Sequence, residues 1–141
     1  MRIAVIDGQG GGIGKAIVEK LRKELSEDTE IIALGTNAAA TVLMLKAGAN
    51  EGATGENAVM LNVQNVDIIV GAIGIIVANA FMGELTSKIA SAISGSKAKK
   101  VLIPLNRCNI EIAGVKSEPL PHHIDNAVDI IKGYIKRRVN K

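Results

Sequence analysis

Aromatic residues are almost missing from this chain: Phe81 and Tyr134 are the only two, and tryptophan is absent. The core must therefore be built from Ile, Val, Leu and Ala, which suits strands buried on both faces of a parallel sheet. The same lack removes the stacking platforms that hold single-stranded nucleic acid. Cys108 is the sole cysteine, so no internal disulfide can form and a four-cysteine zinc site is excluded. No apolar run is long enough to cross a bilayer: Ile68 to Ala78 is too short and is broken by Gly71 and Gly74. The N-terminus enters a strand pattern at once, so no signal peptide is expected and the protein is read as cytoplasmic. Neither sign of charge dominates, with 17 Lys and Arg against 14 Asp and Glu. Part of the excess sits in Lys132, Lys136, Arg137, Arg138 and Lys141, where cations suit the negative end of a last helix. Neither a nucleic acid nor a membrane is expected as a partner.

What the chain does have is apolar content and glycine. Its 141 residues are 48% hydrophobic, enough for one domain, residues 1–141, with a real core. Ile3 to Ile6 predict a first strand. Ile13, Ile17, Leu21 and Leu25 recur every four residues and predict a helix from about Gly12, with Lys15, Glu19 and Lys23 on its outer side. Ile31 to Leu34 predict a second strand. Thr36 or Asn37 then caps a helix over 38–47 that Gly48 stops. Asn50 to Gly55 reads as a loop, with Thr54 capping a short helix after it. Val66 to Val70 predict a third strand ending at Gly71. The apolar stretch from Ala72 to Met82 has no clear period. A helix is expected from about Gly83 to Ser94, a fourth strand over Lys100–Leu105, a fifth strand or hairpin over Ile110–Val115, and a last helix from about His122 to Arg138. This alternation predicts an α/β fold: a Rossmann-like, open, mostly parallel sheet with helices on both faces.

The stretch that carries function is the turn after the first strand. Five glycines fall within seven residues, Gly8, Gly10, Gly11, Gly12 and Gly14, directly between strand and helix. Glycine lets backbone approach a ligand closely, and a helix start offers free N–H groups with a partial positive charge. An anion, above all a phosphate, is the expected occupant. The competing reading is tight helix–sheet packing with no ligand. The strict G-x-G-x-x-G pattern does not fit. The spacing that fits is G-x-x-x-G-x-G, through Gly8, Gly12 and Gly14. The candidate cofactor-binding residues are therefore Gly8, Gln9, Gly10, Gly11, Gly12, Ile13 and Gly14. Gly35, Thr36 and Asn37 join them at the end of the second strand, Gly71 and Ala72 at the end of the third, and Asn106 after the fourth. Asp7 either caps the turn through its N–H groups or shares a Mg²⁺ with a phosphate. Lys15 is either a surface residue or a phosphate contact.

Asn106, Arg107, Cys108 and Asn109 follow a buried strand, where ligands of open sheets usually lie. Arg107 suits a phosphate or carboxylate, and a polar turn is the alternative. Cys108 reads as a nucleophile or as a small hydrophobe. Adjacent His122 and His123 point apart and rarely share a metal, so no metal site is assigned; one of them near the crevice suits acid, base or donor work.

The glycine turn resembles the nucleotide-binding turn of the short-chain dehydrogenase/reductase superfamily. The resemblance stops at the first strand, turn and helix. The chain is too short for a full member, and Tyr-x-x-x-Lys is absent, since Arg138 stands four residues after Tyr134. The whole chain resembles a family of small bacterial proteins known only as a domain of unknown function, on the strength of Ile-Ala-Val-Ile-Asp-Gly-Gln-Gly-Gly-Gly-Ile-Gly-Lys and Ile-Pro-Leu-Asn-Arg-Cys-Asn. That resemblance implies a Rossmann-like fold and a nucleotide site, and no reaction. The expectation is a small domain that binds NAD(P) or an adenine nucleotide as a sensor or binding module, with a homodimer joined through Ile73 to Met82. The alternative is a small enzyme whose crevice uses Asp7, Asn106, Arg107 or His122.

Overall fold

The computed structural model describes residues 1–105 and 108–140. The elements in chain order are β1 (Arg2–Asp7), α1 (Gly12–Glu24), β2 (Glu30–Gly35), α2 (Ala38–Ala47), β3 (Glu51–Thr54), α3 (Glu56–Asn62), β4 (Ile68–Ala72), a 3-10 turn (Ile73–Ile76), α4 (Ser87–Gly95), β5 (Lys99–Ile103) and α5 (Leu120–Val139). The strands form one sheet in the order β3-β2-β1-β4-β5, with every pairing parallel. This is the Rossmann-like arrangement, in which the chain winds outward to one side of β1 and then restarts on the other.

Two apolar layers sandwich the sheet. Ile17, Val18 and Leu21 of α1 pack with Ile124, Val128 and Ile131 of α5 against Ile3, Val5, Ile68 and Val70. On the opposite face, Val59 of α3 and Ile89 and Ile93 of α4 cover Ala4, Ile6, Ile69 and Leu34. Alternate residues of each inner strand thus feed different layers, so β1 is buried from Ile3 to Asp7. The four-residue stripe of α1 and the inner stripe of α5 lie where their periodicity places them.

The helix caps follow local chemistry. Asn37 accepts the N–H of Ala40 and starts α2, and Gly48, with φ of 126°, ends it. Other expectations are corrected. Glu51–Thr54 is an edge strand, not a loop, paired to β2 from Ile32↔Glu51 to Gly35↔Thr54. Its side chains are mostly exposed, so main-chain pairing holds it and no apolar pattern marks it. Thr54 does not cap α3; its hydroxyl donates to Thr41 Oγ1, and Gly55 takes the cap position. Ile110–Val115 forms no strand, and Gly114 turns the chain there with φ of 82°. Residues 83–85 belong to a turn before α4, which Thr86 caps by accepting the N–H of Ile89. Within the stretch from Ile73 to Met82, Ile75 and Ala80 are buried in the core, and Met82 is 93% exposed. Among the described residues, no helix is long and apolar enough to cross a membrane.

Candidate functional site

The winding direction reverses between β1 and β4, which pair side by side through Ile3↔Ile68 to Val5↔Val70. Loops leaving such neighbours diverge to opposite sides, and a crevice opens beyond their carboxyl ends. The glycine turn leaves β1 at this point. The 3-10 turn and the strap over residues 77–86 leave β4.

Asp7 organises the turn from within. The residue is 5% exposed. Oδ1 accepts the N–H of Gly8 at 2.8 Å, and Oδ2 accepts the N–H of Gly14 at 2.6 Å. A charge-assisted bond to the third residue of α1 does the work of a side-chain cap, which Gly11 cannot supply. Gly11 donates to Gly8 O at 3.0 Å and has φ of 76°, and a Cβ there would meet Ala40 Cα at 2.8 Å. Among the described residues, the N–H groups of Gly10, Gly12 and Ile13 have no acceptor. Lys15 points outward to Glu19, at 3.9 Å.

The glycines divide by physical reason. A Cβ at Gly14 would stand 2.8 Å from Asp7 Cβ, one at Gly71 would stand 2.7 Å from Ile6 O, and one at Gly35 would run into Thr41 Oγ1. One at Gly8 would strike Thr36 Oγ1, with Phe81 Cδ2 at 2.8 Å. These four are needed for internal packing. Among the described residues, Gly10 and Gly12 have nothing within 4 Å of such a Cβ, and neither adopts positive φ. Nothing among the described residues requires glycine at either position.

At the end of β2, Gly35, Thr36 and Asn37 offer no acid. The tertiary structure brings one from the strap. Glu84 Oε1 accepts the N–H of Gln9 at 2.9 Å, the hydroxyl of Thr36 at 2.7 Å and Asn37 Nδ2 at 2.9 Å. Asn37 Nδ2 also donates to Gln9 O at 2.9 Å, joining the glycine turn, the β2 loop and the strap. The Gln9 N–H, then the Thr36 hydroxyl, hold the Glu84 carboxyl below its ordinary value; burial opposes them, and Asn37 adds to the lowering. Sequence reasoning missed Glu84 because 75 residues separate it from Gln9. One signal was present: Glu84 is the only charged residue between Asp67 and Lys88.

On the β4 side lies a cavity of about 160 Å³, lined by Gln9, Ile13, Ala72, Ile73, Gly74, Phe81, Met82, Leu105 and Cys108. Six non-glycine residues have positive φ among the described residues: Gln9, Asn79, Phe81, Met82, Cys108 and Asn109. Four of them line this cavity. Left-handed backbone at such residues is costly and concentrates at functional sites.

Other expected site residues stand apart. His122 and His123 line a different cavity of about 410 Å³, between β5, residues 115–118 and α5. The two cavities share no lining residue. Tyr134 lies near Lys99 at the opposite end of β5, and Arg138 donates to its hydroxyl at 3.4 Å. Asn106 and Arg107 lie outside the described residues. Cys108 is exposed at the cavity rim.

Residues 2–136 match the family model described as Domain of unknown function (DUF3842), and the chain belongs to that family. No curated protein matches the chain. Among solved structures it is similar to a dodecameric FMN-dependent Ubix-like decarboxylase from Escherichia coli O157:H7. The identity is 12% and the TM-score 0.46, over 94% of this chain and 77% of that one.

Proposed function

We propose that this member of the DUF3842 family binds a nucleotide, NAD(P) or an adenine nucleotide, across the carboxyl ends of β1, β2 and β4, as a sensor or binding module. The observation that carries the reading is the pair Gly10 and Gly12. Among the described residues, neither packing nor backbone conformation demands glycine at these positions, and their N–H groups, with that of Ile13, have no acceptor. Bare amides at a helix start are the usual seat of a phosphate. The likeness of the turn to that of short-chain dehydrogenases/reductases supports the same occupant. In this reading the phosphate accepts from those three amides. The ribose lies beside Gly35, Thr36 and Asn37, and Gly8 opens the turn next to them. The rest of the ligand passes Gly71 and Ala72 toward the apolar cavity. Gln9, Gly11 and Gly14 shape the turn. The same binding face serves a homodimer that shares the exposed Met82 edge.

The test is calorimetric titration of the purified protein with NAD(H), NADP(H), ADP, ATP and FMN, with and without Mg²⁺. One of the first four should bind saturably. At 100-fold excess over its Kd it should stabilise the fold by about 2.7 kcal/mol. Absence of saturable binding at millimolar concentration overturns the reading.

A further inference from the structure

Glu84 Oε1 is fully engaged by three donors from two other loops, and its carboxylate is thereby fixed at the end of β2 beside the glycine turn. Among the described residues Oε2 has no partner. Glu84 is half-buried, and among the described residues no buried side-chain oxygen lacks a partner, so Oε2 keeps contact with solvent. An ionised carboxylate only accepts hydrogen bonds. A ligand group docking there must therefore donate, as a hydroxyl does, whereas a phosphate is repelled. The residues that close β2, Gly35, Thr36 and Asn37, are all uncharged.

We infer that Glu84 is the specificity-determining residue of the crevice: its outward oxygen accepts the vicinal hydroxyls of an unmodified ribose and rejects a ribose carrying a 2′-phosphate. The inference rests on the nucleotide reading above and narrows its ligand class to NAD and unmodified adenine nucleotides. The acid comes from the strap after β4, so ribose recognition is tied to the strap's position over the glycine turn. The strap reaches that position through Phe81, whose ring covers Gly8 and Gly74.

The informative substitution is Glu84→Gln. The glutamine carbonyl oxygen can still accept from Gln9, Thr36 and Asn37, and the amide nitrogen then faces outward as a donor. The fold is kept while the outward chemistry is inverted. The experiment titrates wild type and E84Q with ADP and with 2′-phospho-ADP, an otherwise identical pair. Wild type should prefer ADP by at least about 10-fold, and E84Q should lose that preference, by a loss of ADP affinity of about 10-fold or more. Glu84→Ala provides the second variant, and should lose ADP affinity without gaining the 2′-phosphate ligand. Equal wild-type affinity for the two ligands overturns the inference. So does an unchanged ratio in E84Q, including equal tightening of both, which would make the carboxylate an occupant of the phosphate seat. If wild type binds neither compound nor any other nucleotide, the nucleotide reading itself fails, and that failure is distinct from a changed or unchanged ratio.

Discussion

Replacing Gly12 by alanine separates the two reasons a turn can be rich in glycine. An added Cβ there meets no atom of the described residues within 4 Å, and the residue is the first of α1 with φ outside the left-handed region. Alanine therefore costs nothing in the folded state and removes conformational freedom from the unfolded one. The expected effect is a stabilisation of about 0.4–1 kcal/mol. For a chain of this length that is a rise of about 1–4 °C in Tm. Gly14, two residues on, should behave oppositely. Its Cβ would stand 2.6 Å from Met44 Sδ and 2.8 Å from Asp7 Cβ. The methionine can yield, but Asp7 is fixed by its own two bonds to the turn. Helix α1 must then lift from β1, at about 1–3 kcal/mol. Urea denaturation of both variants followed by circular dichroism reads the difference as a shift in midpoint at constant slope. Meanwhile Gly12→Ala should weaken nucleotide binding about 10-fold or more, because the methyl stands over the free amides. If Gly12→Ala instead destabilises by more than about 1 kcal/mol, the reasoning that nothing internal requires this glycine is refuted.

Three further outcomes follow from the same geometry. Asp7→Asn keeps one acceptor oxygen but turns an NH₂ toward the other turn amide, leaving a buried N–H unsatisfied; a loss of about 1–3 kcal/mol is expected in urea midpoints. Asn37→Ala removes the cap on Ala40 N and both Nδ2 bonds, so it should destabilise by about 1–2 kcal/mol and raise amide exchange in the strap as well as in α2. Because the Glu84 carboxyl is held below its ordinary value of 4.5, the folded state binds fewer protons than the unfolded state in that range. Its contribution is present above the unfolded value and disappears as pH falls through the folded one. Midpoints measured from pH 6 to pH 3 should fall more gently for E84Q than for wild type, by a modest amount because the half-buried group is still screened by solvent.

Much of the fold was legible because its signals are local. Ile3 to Ile6 followed by glycines and a four-residue apolar stripe specify strand, turn and helix without reference to distant residues. Asn37 and Gly48 bound α2 through contacts of a few residues. What failed locally was β3, where Glu51, Gly52 and Thr54 carry no apolar alternation because an edge strand is held by its ladder to β2. The expected strand at Ile110–Val115 shows the converse: alternating apolar residues without a neighbouring strand to pair with remain a turn.

The order of residues alone determined an α/β sheet with a glycine turn at the mouth of its first helix, since hydrophobic period and turn chemistry act over a few residues. It also showed which positions lacked a side chain, though not why. Only the assembled sheet decided that Gly8, Gly14, Gly35 and Gly71 are demanded by packing while Gly10 and Gly12 are not. Only it brought Glu84 across 75 residues onto Gln9, beside the two polar side chains that close β2. Hydrogen bonds between loops depend on where crossovers deliver their ends, and that is a property of the wound chain as a whole.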